Sequence, residues 1–348
     1  MDRIVQTINP ITDARWGEFV EKHPAASVFH TPQWIEALCR TYGYEPSVFT
    51  ISSSDGSLAN GIPFCAVSSW LGQPRLVSLP FSDHCALLVQ NPEQLSGLLS
   101  ALRENIDGSK WKSMEIRATE SDATDCVDLC KSTAFVLHKL DLRPKLDEIF
   151  RNFHHDCVQR KIHRAERERV TQEEGSSEQL MKQFYRLLLK TRRRHGLPPQ
   201  PFLWFQNLIA CLGERVKIRI AAKDARPIAG ILTLRYKQTL VYKYGCSDER
   251  FNPLGGMQML LWSAIQQAKA DQLSELDLGR SDCNNTGLVK FKDRWGASRT
   301  GLAYLQYPHS RLRSVRNAAP GNISRRVITR MPDTLLSATG RLLYKYMG

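Results

Sequence analysis

Residues 216–246 read VKIRIAAKDARPIAGILTLRYKQTLVYKYGC, and this stretch indicates the fold class more clearly than any other. Three runs rich in β-branched and aromatic residues, Val216 to Ala222, Ile228 to Arg235 and Leu240 to Cys246, are separated by short turn-forming segments. Runs of this length and composition are typical of strands, and the breaks between them are typical of turns. The pattern therefore predicts three consecutive strands of a sheet.

A helix and a further strand follow these three strands. The glycine-rich segment 252–256 precedes a helix whose apolar stripe lies at residues 261–268, and residues 275–279 form the next strand. The first half of the chain ends in the same order, with a leucine stripe at 95–102 and a strand at 114–118. This repeated order predicts an α/β, or α+β, chain of two similar domains, each with a mixed central sheet flanked by helices.

The length of 348 residues suffices for two domains of common size. A helical stripe at residues 146–153 continues into the charged run 160–167, and we place the domain boundary just before it. The predicted division is an N-terminal domain at 1–143, a C-terminal domain at 144–308 and a basic tail at 309–348.

The tail differs in composition from the rest of the chain. Its basic residues from Arg311 to Lys345 face a single acid, Asp333, and prolines and glycines interrupt its few apolar residues. We expect this tail to be partly ordered at best, dispensable for folding, and able to hold the protein at an anionic membrane surface.

Charge and cysteine content narrow the class of protein. The formal charge of +13 favours polyanionic partners such as RNA, nucleotide-linked substrates or anionic lipid, without choosing among them. The nine cysteines are odd in number and scattered, and no closed set of metal ligands occurs at standard spacing. With no apolar stretch of spanning length, these features predict a cytoplasmic protein without a metal site, in peripheral contact at most with the inner face of the membrane.

Several stretches resemble the FemAB family and its related acetyltransferase-like domains, and together they span residues 15 to 305. The matching stretches are His23 to His30 running into Trp34, Gly72 to Phe81, Arg193 to Pro198, Ala229 to Ile231, Tyr244 to Ser247, Asp277 to Arg280 and Gly287 to Gly296. The resemblance implies two tandem GNAT-like domains of the acyl-CoA N-acyltransferase fold, with the acceptor in or near the cleft between them.

The same resemblance implies an N-acyltransferase that forms an amide from an activated donor. The best-known family members take amino acids from aminoacyl-tRNA and build the cross-bridge of peptidoglycan, and others occur in polysaccharide export loci. We therefore expect an acyl or aminoacyl donor, either acyl-CoA or aminoacyl-tRNA, no tightly bound cofactor, and an amine on a cell-envelope or polysaccharide precursor as acceptor.

Lys292 is the candidate catalytic residue, because it stands in the Phe-Lys pair that the resemblance places at the reaction site. Its ammonium would meet the negative charge that develops on the carbonyl oxygen. The alternative is a solvated surface lysine. The matched motifs also carry further substrate-binding candidates, namely Phe291, Arg294, Tyr244 and Arg280.

Arg160, Arg164 and Arg167 fall at i, i+4 and i+7, which puts three guanidinium groups on one face of a helix. Such a face can hold phosphates bidentately, and Lys161 adds a fourth cation. The alternative is a solvated face that pairs with neighbouring glutamates. The pair Arg194 and His195 carries the same two interpretations.

Gly255 and Gly256 stand where acetyltransferases bind a pyrophosphate, since free N–H groups at a helix amino terminus suit an anion. Asn252 and Met257 depart from the usual pattern of this loop, which would have Arg or Gln and a small residue there. The glycines are therefore either donor-phosphate ligands or helix-starting residues. The departure also motivates a second class of function, a catalytically silent scaffold that binds a nucleotide sugar, a polysaccharide or a partner protein.

Covalent catalysis is not predicted. The adjacent candidates Asp83, His84 and Cys85 lie in a predicted extended segment, where successive side chains point to opposite faces. His84 and Cys85 are therefore not expected to form a dyad.

Overall fold

The structure is a computed structural model that describes residues 5–52, 56–68, 74–108, 111, 113–119, 129–308 and 327–346. Its strands, in chain order, are β1 (Val5–Ile8), β2 (Glu45–Ile51), β3 (Ile62–Val67), β4 (Arg75–Val77), β5 (Met114–Thr119), β6 (Cys130–Asp141), β7 (Thr171–Gly175), β8 (Val216–Lys223), β9 (Arg226–Tyr236), β10 (Thr239–Ser247), β11 (Glu275–Asp282) and β12 (Ser298–Tyr307).

The α-helices are α1 (Ala14–Lys22), α2 (Pro32–Tyr42), α3 (Pro92–Gly108), α4 (Leu146–Arg151), α5 (Arg160–Arg167), α6 (Glu178–Arg194), α7 (Phe202–Leu212), α8 (Gly256–Ala270), α9 (Thr286–Asp293) and α10 (Asp333–Tyr344). Among the described helices, none is long and apolar enough to cross a membrane.

The described residues form two compact units. The first contains those up to residue 135 together with 300–308 and 342–346, and the second contains 136–299 and 327–341. These bounds differ from the sequence-based division, which placed the boundary near 143 and residues 300–308 in the second domain. Residues 300–308 belong to the first unit because residues 302–307 of β12 pair antiparallel with residues 114–119 of β5.

Both units repeat one strand pattern. In the first unit, antiparallel strands β1, β2, β3 and β4 are followed by a parallel pair, β4 with β5, and α3 connects its two strands. In the second, antiparallel strands β7, β8, β9 and β10 are followed by the parallel pair β10 with β11, connected by α8. The predicted α/β class with mixed strand pairing and the repeated element order are confirmed.

The helix stripes read from the sequence pack as predicted. In the first unit, Leu95, Leu98, Leu99 and Leu102 of α3 join a core that includes side chains of β2, β3 and β5. In the second, Leu261, Ala264, Ile265 and Ala268 of α8 join a core with β9 and β11. Burial of such apolar faces is the main stabilising term for both units.

The helix predicted to run from 146 to 167 is interrupted between α4 and α5. The His154 N–H donates to the carbonyl of Arg294 at 2.8 Å, and the Gln159 side-chain amide donates to the carbonyl of Phe153 at 2.8 Å. These bonds hold a short break at residues 152–154, after which a π-helical segment, His155–Gln159, leads directly into α5. A stripe of apolar residues cannot reveal such a break, because both helices bury their own part of it.

The expectation that the tail is dispensable is wrong for residues 327–346. Leu336 on α10 is fully buried, and the Tyr185 hydroxyl lies 3.1 Å from that of Ser337. Arg193 pairs with Asp333 and also donates to the carbonyl of Met331. The final helix therefore packs as part of the fold, while residues 311–326 of the tail lie outside the described residues.

Candidate active site

A cavity of about 300 Å³ opens in the second unit beside the amino terminus of α8. This volume is at the lower end of those that hold small ligands. It is lined by one residue of α5, the end of α6, parts of β9 and β10, the turn before α8, the first residues of α8 and one residue of α9. The lining residues are Lys161, Thr191, Arg194, His195, Ile228, Ala229, Tyr242, Gly245, Cys246, Ser247, Phe251, Asn252, Gly256, Met257, Gln258 and Phe291.

The sheet itself opens the cavity. β10 pairs parallel with β11 only from Thr239 to Val241, and its pairing with β9 shifts register between Tyr242 and Tyr244. A bulge of this kind turns side chains and main-chain groups away from the regular ladder. The residues of β10 that line the cavity, from Tyr242 to Ser247, begin at this irregularity.

Tyr242 forms part of the cavity floor. A Cβ atom built on Gly245 would lie 1.8 Å from the Tyr242 hydroxyl oxygen, so the tyrosine ring occupies the space that a side chain at 245 would need. Burial raises the pKa of the Tyr242 phenol well above its ordinary value, and the group is therefore neutral at physiological pH. The floor of the cavity thus carries a neutral phenol, whose O–H can donate a hydrogen bond.

Close packing requires a glycine at 255, just before α8, and leaves little room for a side chain at 256, the first residue of α8. Gly255 has φ +79°, and a Cβ there would lie 2.1 Å from the main-chain oxygen of Lys161. At Gly256 a Cβ would lie 3.1 Å from Cδ1 of Ile228. Close packing alone therefore explains the glycine at 255. Gly256 also lines the cavity at the first turn of α8, where main-chain N–H groups lack helix partners.

Asp248 holds the rim of the cavity together, and its role was not predicted from the sequence. Its buried carboxylate binds Arg250 at 2.6 Å, Lys190 at 2.9 Å and Arg226 at 3.6 Å. Asp248 also caps the turn 249–254, which carries Phe251 and Asn252 to the cavity. The guanidinium of Arg250 is the main cause that lowers the pKa of Asp248, Lys190 adds to it, and burial opposes it.

Asp248→Asn is expected to lower the free energy of unfolding at pH 7 by about 1–2 kcal/mol, because three cations lose their shared carboxylate. The folded pKa is depressed, so the contribution of Asp248 is complete above about pH 4, the unfolded value, and is lost as the pH falls toward the folded value. Urea unfolding at pH 7 and at several lower pH values measures both effects.

The exposed Asp224→Asn variant is the control and should change the unfolding free energy little, since its side chain is 85% exposed. Equal stability losses in the two variants would contradict the role given to Asp248.

A second, open groove of about 550 Å³ runs along α5, and we call it the arginine groove. Four cations and two carboxylates line it with Pro253: Asp156, Arg160, Lys161, Arg164, Arg167 and Glu168. Arg160 pairs with Asp156 at 3.0 Å, and Arg164 lies 3.7 Å from Glu168. The predicted face therefore exists, and part of its charge is neutralised by acidic neighbours. Such exposed pairs are weak, and an anion can compete for them.

Lys161 lines both the cavity and the arginine groove. Its Nζ lies 3.4 Å from the carbonyl oxygen of Asn252, on the turn before α8. The two recesses therefore share one wall, formed where the first turn of α5 approaches residues 252–255. The segments 160–167 and 287–295 both lie in the second unit, and they contribute Lys161 and Phe291 to one cavity.

Lys292 is buried and does not line the cavity. It is 3% exposed, and its Nζ donates to the carbonyl oxygens of Gly279 at 2.7 Å and Arg280 at 2.9 Å. The interpretation of Lys292 as a solvated lysine is wrong, because two of its three N–H groups donate to main-chain carbonyls of β11. The geometry gives Lys292 a positioning role in this state of the protein.

The remaining candidates occupy three different settings. Arg194 and His195 lie at the exposed rim of the cavity. Tyr244 is buried, and its hydroxyl accepts a hydrogen bond from the indole of Trp204 at 2.9 Å, so it is not among the cavity-lining residues. Arg294 is exposed at the end of α9, and Arg280 is half-buried on β11.

The first unit contains a cysteine–histidine contact that the sequence did not reveal. Cys85 Sγ lies 3.5 Å from Nε2 of His30, and both residues are fully buried. Burial lowers the pKa of His30 to about 4. The Ser27 N–H donates to Nδ1 of His30, so the ring proton sits on Nε2, 3.1 Å from the carbonyl of Ala86. This imidazole is not a base for the thiol.

Within the described part of the chain, no group of three or more His, Cys, Asp or Glu side chains is placed to hold a metal ion. Seven of the cysteines described there are free thiols.

Comparison with known proteins places this geometry in context. Residues 154–293 match the family model described as an acetyltransferase (GNAT) domain. No curated protein matches the chain. FemX has a similar fold, with a TM-score of 0.68 and 15% identity over 86% of this chain and 96% of FemX.

Two further solved structures share the fold. The C-terminal domain of a putative lysylphosphatidylglycerol synthetase from Agrobacterium fabrum has a TM-score of 0.54 and 14% identity over 84% of this chain and 90% of its own. A tandem GNAT protein from the clavulanic acid biosynthesis pathway has a TM-score of 0.53 and 9% identity over 87% of this chain and 98% of its own.

The matched domain supports an acyltransferase, and the cavity lies at the amino terminus of helix α8 within that domain. The repeated strand pattern agrees with the fold that this chain shares with FemX and with the tandem GNAT protein.

Proposed function

We propose that this N-acyltransferase joins an acyl or aminoacyl group to an amine on a cell-envelope or polysaccharide precursor. The observation that carries the proposal is the cavity, where the first turn of α8 meets the irregular part of β10 and two cations, Lys161 and Arg194. A helix amino terminus with cations beside it attracts the phosphate groups of a large activated donor.

We further propose that the donor spans two recesses. Its reactive end enters the cavity, and its phosphates lie on the arginine groove, with Lys161 between them. Both acyl-CoA and aminoacyl-tRNA carry a small reactive end and several phosphates. The GNAT fold favours acyl-CoA, whereas the resemblance to FemAB proteins favours aminoacyl-tRNA.

The acceptor is proposed from the fold relatives. A putative lysylphosphatidylglycerol synthetase shares the fold, and this supports a component of the cell envelope as acceptor. The acceptor amine must be neutral to attack, and no covalent enzyme intermediate is needed for amide formation. Direct transfer is therefore the proposed reaction: the amine nitrogen bonds to the donor carbonyl carbon, the thioester or ester bond breaks, and the CoA thiol or the tRNA hydroxyl leaves with the proton that the amine loses.

A donor screen tests the proposal. The purified chain is incubated with acyl-CoA thioesters or charged tRNA and with amine-bearing envelope precursors, and acceptors are analysed by mass spectrometry. A mass gain equal to the acyl or aminoacyl group is expected with one donor class. No gain with any donor would favour the second candidate, a silent scaffold, for which Asn252 and Met257 in the turn at α8 are the specific observation.

The double variant Arg160→Ala/Arg164→Ala is expected to raise the KM or Kd for the true donor about tenfold, because two phosphate contacts are lost. If the donor is tRNA, the slope of log affinity against log salt should also become shallower by about 1.5. Titrations at several salt concentrations measure both quantities.

Arg143→Ala is the matched control, since this exposed arginine lies in the second unit but not on the arginine groove. Equal losses in the control and in the double variant would refute a role for the groove.

A further inference from the structure

Helix α10 carries an apolar stripe that the described residues leave uncovered. Leu335 is 57% exposed, Leu342 is 67% exposed and Tyr346, just past the helix end, is 37% exposed. These residues stand at i, i+7 and i+11, which places them on one face of the helix. Ala338 and Thr339 fill the same face between them. Large exposed apolar side chains clustered in this way mark an interaction surface.

The stripe is not the result of a loosely held helix. Leu336, Gly340 and Tyr344 stand at i, i+4 and i+8 and are buried on another face. A Cβ on Gly340 would lie 2.0 Å from the main-chain oxygen of Pro199, so the helix approaches that loop as closely as a glycine permits. The packing therefore fixes α10 and holds the stripe away from the core.

The charges next to the stripe are positive. Arg341 and Lys345 are exposed and stand at i and i+4, beside the apolar residues. Exposed Arg330 precedes the helix, and the nearest acid, Asp333, is paired with Arg193. The whole chain carries +13. An apolar stripe bordered by cations and ending in a tyrosine suits a helix that lies in the interface of an anionic membrane.

We propose that α10 docks on an anionic lipid bilayer, with Leu335 and Leu342 among the acyl chains and Arg341 and Lys345 at the lipid phosphates. This assigns the membrane contact expected from the basic tail to a packed helix. It does not depend on the proposed acyl transfer, because lipid binding is measured without donor or acceptor.

Vesicle sedimentation with the full chain tests the proposal. Wild-type protein should partition onto vesicles of phosphatidylglycerol and phosphatidylcholine and much less onto phosphatidylcholine alone. Leu335→Glu/Leu342→Glu is expected to reduce the partition coefficient about tenfold or more, since two apolar contacts are lost and two negative charges are added. Leu288→Glu, an exposed leucine on α9, is the matched control and should bind like wild type.

Two further measurements keep the result interpretable. Melting temperatures of the variants establish that they fold, and hydrogen exchange of the wild type should show slower exchange of α10 amides when anionic vesicles are added. Wild-type binding by the double variant, or unchanged exchange in α10, would overturn the proposal. So would a wild-type dimer in sedimentation velocity that the double variant loses, because the stripe would then be covered by a second copy.

Discussion

Lys292→Met is expected to lower the free energy of unfolding by about 2–4 kcal/mol, because the carbonyls of Gly279 and Arg280 lose a buried, charged donor. The methionine side chain fills most of the space but donates no hydrogen bond. Urea unfolding at neutral pH measures the loss. At a temperature where the variant is folded, kcat is expected to fall by less than about tenfold, as for a residue that positions the end of β11.

The control for this experiment stands two residues earlier on the same helix. Lys290 is exposed, and Lys290→Met should leave the unfolding free energy nearly unchanged. The opposite pattern, intact stability with kcat reduced by two to three orders of magnitude at constant KM, would return Lys292 to the oxyanion role that the family resemblance implies. Lys292→Arg would then recover part of the rate, since it keeps the charge.

Gly255→Ala is expected to lower the free energy of unfolding by at least about 3 kcal/mol. Alanine at φ +79° costs about 1–2 kcal/mol, and its Cβ would stand 2.1 Å from a main-chain oxygen that cannot rotate away. The first turn of α5 must therefore shift, and Lys161 with it. Donor affinity should fall together with stability, because Lys161 is the wall that the cavity and the arginine groove share.

Gly97→Ala is the control for the glycine substitution. Gly97 lies inside α3 with open space around a built Cβ, and alanine there should stabilise the protein by about 0.5–1 kcal/mol. Urea unfolding curves of both variants measure these changes in the free energy of unfolding. A Gly255→Ala protein as stable as the wild type would show that α5 and the turn before α8 do not approach as closely as described.

The fold was predictable where apolar residues recur in the sequence with the spacing of a strand or a helix. The three strands from Val216 to Cys246 and the stripes of α3 and α8 are local patterns, and each is confirmed. Strand β7, residues 171–175, escaped prediction because it is largely exposed and its sequence, TQEEG, has no apolar alternation. It becomes a strand only by pairing with β8, which is a tertiary effect.

The candidate site was predictable as a set of segments but not as a geometry. Lys161, Arg194, Gly256 and Phe291 were identified from motifs and do line one cavity. The burial of Lys292 was not predictable, because its partners lie on another element. For the same reason Asp248 escaped notice, since its partners Lys190 and Arg226 are distant in sequence and meet only in the folded chain.

The contact between Tyr242 and Gly245 makes the depth of the cavity depend on the side chain at position 242. Gly245 pairs with Ile231 on β9, and the phenol of Tyr242 takes up the room above it. A smaller residue at 242 deepens the cavity, and it does so without altering any hydrogen bond of the sheet. Under the proposed function, the size of residue 242 would set the length of the acyl group that the cavity admits, and removal of the packed ring would itself cost stability.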